Sequence, residues 1–400
     1  MAKEKTFWQK HREVIKANLK QHAPWEEWVD AGVSTALTLL LVWLFLNSTI
    51  TGDLFNSVAE IDSPELIDLY TSTSHRSGVP KYSSILLMPI DGCSRQDVTT
   101  AFEILSEMEP KAIGMDVTFP FYAEGDDRLL EAVTSNRKIV LASIPEKTDS
   151  GFQMNAQSSY FEPVLRENGV RFGSVVLDAE SRYDIIRSFT PALFGERDTI
   201  WSLEMQLARL AGADVTRFRP YDKHAYIMYS NLLMDTLPAK ELMAAEADWD
   251  ALAEKVNGKI VLIGDMEATM DMYRTPIHSD LPGLLIHAYT LDTILRGMTV
   301  SVSPVWVNWL VAFIVCIGFA FLTLYFKWAY DEADDLAMRL TQIIMMVVIV
   351  VVPGIWMFST FRWYFDFTPT FFALAIQAAV LDIWLGIITI ALHIKNMLAK

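Results

Sequence analysis

At 400 residues the chain is long enough for two or three domains, and its net charge of −16 excludes the clustered basic surface that nucleic-acid phosphates require. Hydrophobic residues make up 52% of it and mean hydropathy is +0.24, above that of an ordinary soluble protein, with the excess gathered in four runs. Its two cysteines, Cys93 and Cys316, exclude a disulfide framework and a zinc pattern, because Cys316 lies inside an apolar run.

The N-terminal tail, residues 1–30, carries Lys3, Lys5, Lys10, Arg12, Lys16 and Lys20. An apolar run follows at 31–50, close to the roughly 20 residues a spanning helix needs. The long charged leader and the absence of a small-x-small pattern after Leu46 favour an uncleaved anchor over a signal peptide. Three further runs, at 305–326, 341–359 and 367–392, read as spans, the middle one short and broken by Pro353-Gly354. The basic tail predicts a cytoplasmic N-terminus, which places residues 51–300 outside the membrane. Alternation then puts the acidic loop 327–340 and the tail 393–400 in the cytoplasm. The expected setting is a bacterial inner membrane, with the lipid bilayer as the first partner.

Between the first two spans the residues follow an α/β rhythm. Ile85 to Ile90 is strand-like, Gln96 to Met108 has helical spacing, and Ala112 to Phe119 is a second strand. Asp127 to Thr134 is a helix and Lys138 to Ile144 a third strand. Val170 to Leu177 is a strand ending at Asp178, and Arg187 to Leu193 reads as a further one. Helices are expected at 201–210 and 249–256, with a short strand at Ala225 to Tyr229. Asn257-Gly258 closes the second helix and leads into the apolar strand from Ile260. Alternating strands and helices predict a layered α/β domain, with a mainly parallel sheet and helices on both faces.

The segment from Lys259 to Gly297 joins this domain to the second span: a strand, a loop through Thr275-Pro276, then Pro282-Gly283 and an apolar helix holding His287. Pro276 forces a bend in the residue before it, so Thr275, Pro276, Pro282, Gly283 and His287 form the expected transmission element. A lone histidine on an apolar helix is also read as a hydrogen-bonded structural residue; a functional one there would sense pH.

Asp91, Asp116, Asp178 and Asp265 stand at strand ends, where ligands of an open parallel sheet bind, and together they would suit a cation or an amine. The alternative is that each caps the helix or turn that follows it. Asp382 lies within the last span, as an interhelical or intersubunit contact, a proton relay, or a quiet partner of Gln377 or Asn308 unless the span starts after it. No nucleophile elbow, phosphate loop, H-E-x-x-H or phosphoacceptor region occurs, so neither catalysis nor a cofactor or metal is expected.

G-K-I-V-L-I-G-D at Gly258 to Asp265, T-P at Thr275-Pro276, P-G-L-L-I-H-A at Pro282 to Ala288 and L-R-G at Leu295 to Gly297 resemble the signature of CHASE-type sensory domains, type two. M-P-I-D at Met88 to Asp91, A-I-G-M-D-V-T-F at Ala112 to Phe119 and G-S-V-V-L-D before Arg187 and Pro191 agree. The resemblance covers roughly Asp53 to Gly297 and implies an extracellular sensor with one membrane helix before it and three after. Gly92-Cys93-Ser94 after Asp91 departs from the usual start of such a sensor. Members often continue into a kinase, cyclase or phosphodiesterase; this chain stops at Lys400, so the expected output lies on a separate effector in a homo- or hetero-oligomer. The alternative expectation is an accessory subunit that stabilises an envelope complex.

Overall fold

The computed structural model describes residues 24–47, 65–153, 161–177, 184–196, 198–222, 225–244, 248–329, 341, 344–345 and 347–398. Asp178 lies outside them. Two compact units form, one of residues Ile61–Val300 and one of Met1–Glu60 with Ser301–Lys400.

The first apolar run is helix α1 (Pro24–Leu46). In the larger unit, helix α2 (Leu66–Ser77) precedes the sheet and is closed at its start by Glu65 and Asp68 in a reciprocal cap. The chain then alternates as expected: β1 (Lys81–Pro89), α3 (Arg95–Glu107), β2 (Ala112–Met115), α4 (Asp126–Ser135), β3 (Ile139–Ser143), α5 (Glu162–Glu167) and β4 (Arg171–Ser174). Helix α6 (Leu203–Leu210), β5 (Leu232–Thr236), α7 (Ala239–Leu242), α8 (Trp249–Val256), β6 (Ile260–Gly264) and α9 (Gly283–Leu295) complete it. Ser94 and Ser202 cap α3 and α6 by accepting from the amides of Asp97 and Met205.

The six strands form one sheet in the order β5-β1-β6-β2-β3-β4, every neighbouring pair parallel. β2, β3 and β6 are buried along their whole length, which is why they read as continuous apolar runs. Their side chains alternate between two cores. Leu86, Met88, Ile113, Val261 and Ile263 pack with α3, α4, α5, α7 and α8, whereas Ile85, Leu87, Ala112, Ile260 and Leu262 pack with α6 and α9. α6 lies very close to the sheet: a Cβ on Gly173 would stand 2.4 Å from Leu203 Cα, and one on Gly114 would stand 2.6 Å from Leu207 Cδ1. Glycine is needed at 173, where the neighbours are backbone atoms; at 114 the ends of the Leu207 and Leu262 side chains fill the space a Cβ would take.

The strand expected from Arg187 to Leu193 is instead two pieces in different ribbons. Ser188–Phe189 pairs antiparallel with Ala225–Tyr226, and Ala192–Phe194 pairs with Thr199–Trp201. Pro191 between them has no amide hydrogen to continue a ladder. The edge strand β5 escapes sequence reading because it is short and half-exposed, with an acid at Asp235.

In the smaller unit, α1, α10 (Val305–Ala329) and α12 (Thr368–Leu398) are long and apolar enough to cross a membrane. They pack through small residues, Ala31, Ala320 and Ala373, and Trp28 sits edge-on to Phe321 at 4.5 Å. Among the described residues, the remaining apolar run holds a shorter apolar helix over Val348–Phe361. A π turn at Val347–Val351 leads into α11 (Val352–Phe361), where Pro353 has no amide hydrogen to give, so the break expected at Pro353-Gly354 is a change of helical pitch. Arg362 ends it in the left-handed conformation, and Trp363–Tyr364 pairs with Ser301–Val302.

Candidate functional site

Strands β1, β6 and β2 are neighbours, so Asp91, Asp265 and Asp116, which follow them directly, arrive at one end of the sheet. They divide into two groups. Asp91 Oδ1 accepts from the amides of Met266 and Glu267 at 2.9 and 2.8 Å, and Asp265 Oδ1 accepts from Glu267 and Ala268 at 2.9 Å each. The two carboxyls also share a hydrogen bond. It raises Asp265 above the ordinary carboxylate range; Asp91, despite its burial, is held below that range by this bond and the amides. The pair therefore ties the end of β1 to the loop after β6.

Asp116 belongs to the second group, built around His287. That residue sits in the second turn of α9 and is 3% exposed. Its Nδ1 lies 2.6 Å from Oε1 of Glu204, which α6 presents from its first turn and which is also 3% exposed. Its Nε2 lies 3.7 Å from Oδ2 of Asp116, whose side chain is 15% exposed. Burial alone would depress the imidazole, but Asp116, Glu204 and Asp271 outweigh it and push His287 up to about 9. It is therefore a buried imidazolium at neutral pH. Burial raises Asp116, an effect that His287 partly offsets and Glu204 adds to.

Asp271 completes the cluster. Its carboxylate sits against the start of α9, so close that a Cβ on Gly283 would stand 2.6 Å from both carboxylate oxygens. Gly283 is thus required for contact, and the helix dipole favours the negative charge there. Burial and the nearby Asp116 nonetheless raise Asp271 to about 6, and the same burial with Asp271 lifts its hydrogen-bonded neighbour Tyr273 to about 12. Met272–Tyr273 pairs with Leu281–Pro282, so both ends of the intervening loop are pinned beside the helix start. Within that loop Thr275 closes a turn on itself: its amide and hydroxyl donate to the carbonyl of His278 at 2.8 and 3.0 Å, and the hydroxyl accepts from the His278 amide. Pro276 lies inside the turn.

Of the residues expected to form the transmission element, His287 is joined to Glu204 and faces Asp116, Gly283 meets Asp271, Pro282 pairs with Met272, and Thr275 with Pro276 forms a separate turn closed on His278. Glu204, Asp271 and Tyr273 were not singled out in the sequence. Glu204 did carry a signal, since it lies between Leu203 and Met205 on a helix where an unpartnered acid would be expensive to bury. Among the described residues no group of histidines, cysteines and acids has the arrangement of a metal site.

The profile of the CHASE2 domain matches residues 83–324, more than half of the chain and all six strands of the sheet. The chain belongs to the CHASE2 domain family. CHASE2 domains are extracellular sensory domains. No curated protein and no solved structure matches the chain.

In the membrane unit, Gln377 is fully buried: its Nε2 donates to Ser34 Oγ at 3.1 Å and its Oε1 accepts from Cys316 at 2.9 Å, joining α12 to α1 and α10. Trp384 Nε1 donates to Asp30 at 2.9 Å. Asn308 takes a short hydrogen bond from Ser303. Asp382 is on the exposed surface of α12.

Proposed function

We propose that this CHASE2 domain senses a ligand or partner outside the membrane, and that α9 passes the change to the membrane helices and so to an effector. The observation that carries this reading is the His287 cluster. One buried imidazolium on the helix that leads toward α10 is held by Glu204 of α6 and faces Asp116 at the end of β2. A rearrangement of α6 against the sheet then cannot leave α9 unaffected, because breaking the pair strands a buried charge. A ligand acts on such a device only through its different affinity for two arrangements of these elements. The role is non-catalytic.

The basic N-terminal tail supports a cytoplasmic N-terminus, with the CHASE2 domain on the other side of a bacterial inner membrane. Asp382, exposed beside Ile383 on α12, supports a polar contact there with an effector subunit or a second copy. Purification from native membranes tests this. The wild-type chain is expected to bring a partner subunit with it, and Asp382→Asn to lose that partner while keeping its own fold. Partner-free wild-type chain would sink the effector reading. A partner bound over the outer domain and equally retained by the variant would favour a role in assembling an envelope complex.

A further inference from the structure

The geometry points to a binding cleft for a small amino-acid-like zwitterion at the β4 edge of the CHASE2 domain, an assignment that rests on the sensory reading. The cleft measures 460 Å³, within the range of sites for small molecules. Phe152, Phe172 and Trp201 supply aromatic surface to it, and Arg166, Glu196, Asp198 and Gln206 supply polar groups, with Glu196 Oε1 already accepting from the Thr148 and Ser150 hydroxyls at 2.6 and 2.8 Å.

Both signs of charge are present, and part of each side chain's bonding capacity is left over. Arg166 gives Nε to Glu162 at 2.8 Å and lays its guanidinium 5.0 Å over the Phe172 ring. Its two terminal nitrogens meet no protein acceptor among the described residues, which leaves a fork suited to a carboxylate. Asp198, exposed in the lining of the same cleft, suits an ammonium group. Gln206 donates a long 3.5 Å hydrogen bond to the Phe172 carbonyl, and its Oε1 meets no donor among the described residues. Arg209 covers one face of Trp201 at 3.4 Å from the ring centre, which holds the indole in place. A molecule with carboxylate, ammonium and a planar or apolar group would satisfy all three kinds of surface together. A simple anion would leave Asp198 repelling it, and a simple amine would face Arg166.

The cleft also has a route to the His287 cluster. Gln206 and Glu204 are two residues apart on α6, about 200° around the helix, so they address different sides of it. Gln206 lines the cleft while Glu204 holds His287. At Gly173 the backbone of α6 at Ser202 and Leu203 lies directly against the strand, with no side chain between them, so a shift of the helix start is felt by β4 at once.

The probe is L-phenylalanine, with phenethylamine and phenylacetate as its single-charge counterparts, titrated calorimetrically onto the full chain in lipid nanodiscs. L-phenylalanine is expected to bind with a Kd below about 1 mM, roughly tenfold or more tighter than either counterpart. Arg166→Gln and Asp198→Asn should each weaken it by about tenfold. Asp198 is exposed on a turn, so its variant tests the cleft even if Arg166→Gln disturbs the buried Glu162. Hydrogen exchange on the same samples should show protection at 151–153 and 199–206, with a change at 283–295. Saturable binding and cleft protection with no change at 283–295 would uphold the cleft and overturn transmission through α9. Absence of saturable binding to any of the three probes, or binding indifferent to both substitutions, would overturn the cleft and leave the transmission reading to the native-membrane purification.

Discussion

Two parts of this protein bury polar groups among apolar ones, and they choose different chemistry. At the end of the sheet, ionisable side chains gather: His287, Glu204, Asp116 and Asp271. Between the membrane helices the buried polar groups Ser34, Thr35, Thr38, Cys316 and Gln377 are neutral, and the buried acid there, Asp30, accepts from Trp384. The difference follows from what can offset burial. At the sheet, opposite charges, a helix N-terminus and half-exposed carboxylates are available within a few ångströms, so an ion pair can be held and its protons exchanged. In a lipid setting a charge has few such neighbours, and hydroxyl, thiol and amide groups can be satisfied one bond at a time. The sheet cluster therefore depends on charges that protonation changes, whereas the membrane seam rests largely on neutral hydrogen bonds.

The largest test of this contrast is His287→Leu, which leaves Glu204 buried without its counter-charge. It should destabilise the outer domain by about 3–5 kcal/mol, measured by chemical denaturation. Adding Glu204→Gln should recover part of that loss, because the site then becomes neutral like the membrane seam. If the single variant is as stable as wild type, the ion pair is not what holds α9 to α6.

The pH dependence comes next. His287 has a folded pKa of about 9 against an ordinary 6.5, so its contribution is fully present below 6.5 and lost as pH rises through 9. The shift corresponds to about 3 kcal/mol. Asp271 has the same sign, since its folded value near 6 exceeds the ordinary 3.8; its contribution is present below 3.8 and lost as pH rises through 6. Thermal melting across this range should therefore show stability falling in two steps as pH rises. The upper step should vanish in His287→Gln.

Gly283→Ala should cost about 1–3 kcal/mol, because the new methyl must displace the Asp271 carboxylate or shift the helix start. The lower step of the pH profile should weaken with it. An unchanged profile would mean that Asp271 does not sit against α9. The smallest effect is expected from Gln377→Leu, about 1 kcal/mol in helix association, since only neutral hydrogen bonds to Ser34 and Cys316 are lost. A loss as large as that of His287→Leu would erase the distinction between the two regions.

Much of the fold was legible because its signals are local. β2, β3 and β6 are short apolar runs bounded by turn residues, and Asn257-Gly258 marks a helix end where it occurs. β5 was not legible, since a half-exposed edge strand has neither a clean alternation nor a continuous apolar run. The site was legible only in part. Asp91, Asp116 and Asp265 could be placed at strand ends by pattern, yet nothing in that pattern separates the Asp91–Asp265 pair from Asp116 and its histidine.

By itself, then, the sequence determined the membrane runs, the βα alternation and the helix from Gly283 with His287 upon it, because hydropathy, periodicity and capping act over a few neighbouring residues. Only the tertiary structure decided that β6 enters between β1 and β2, that α6 lies against Gly114 and Gly173, and that Glu204 reaches His287 across 83 positions of chain. Those are long-range contacts: they depend on which surfaces meet once the sheet has closed, and a buried charge shows its partner only there.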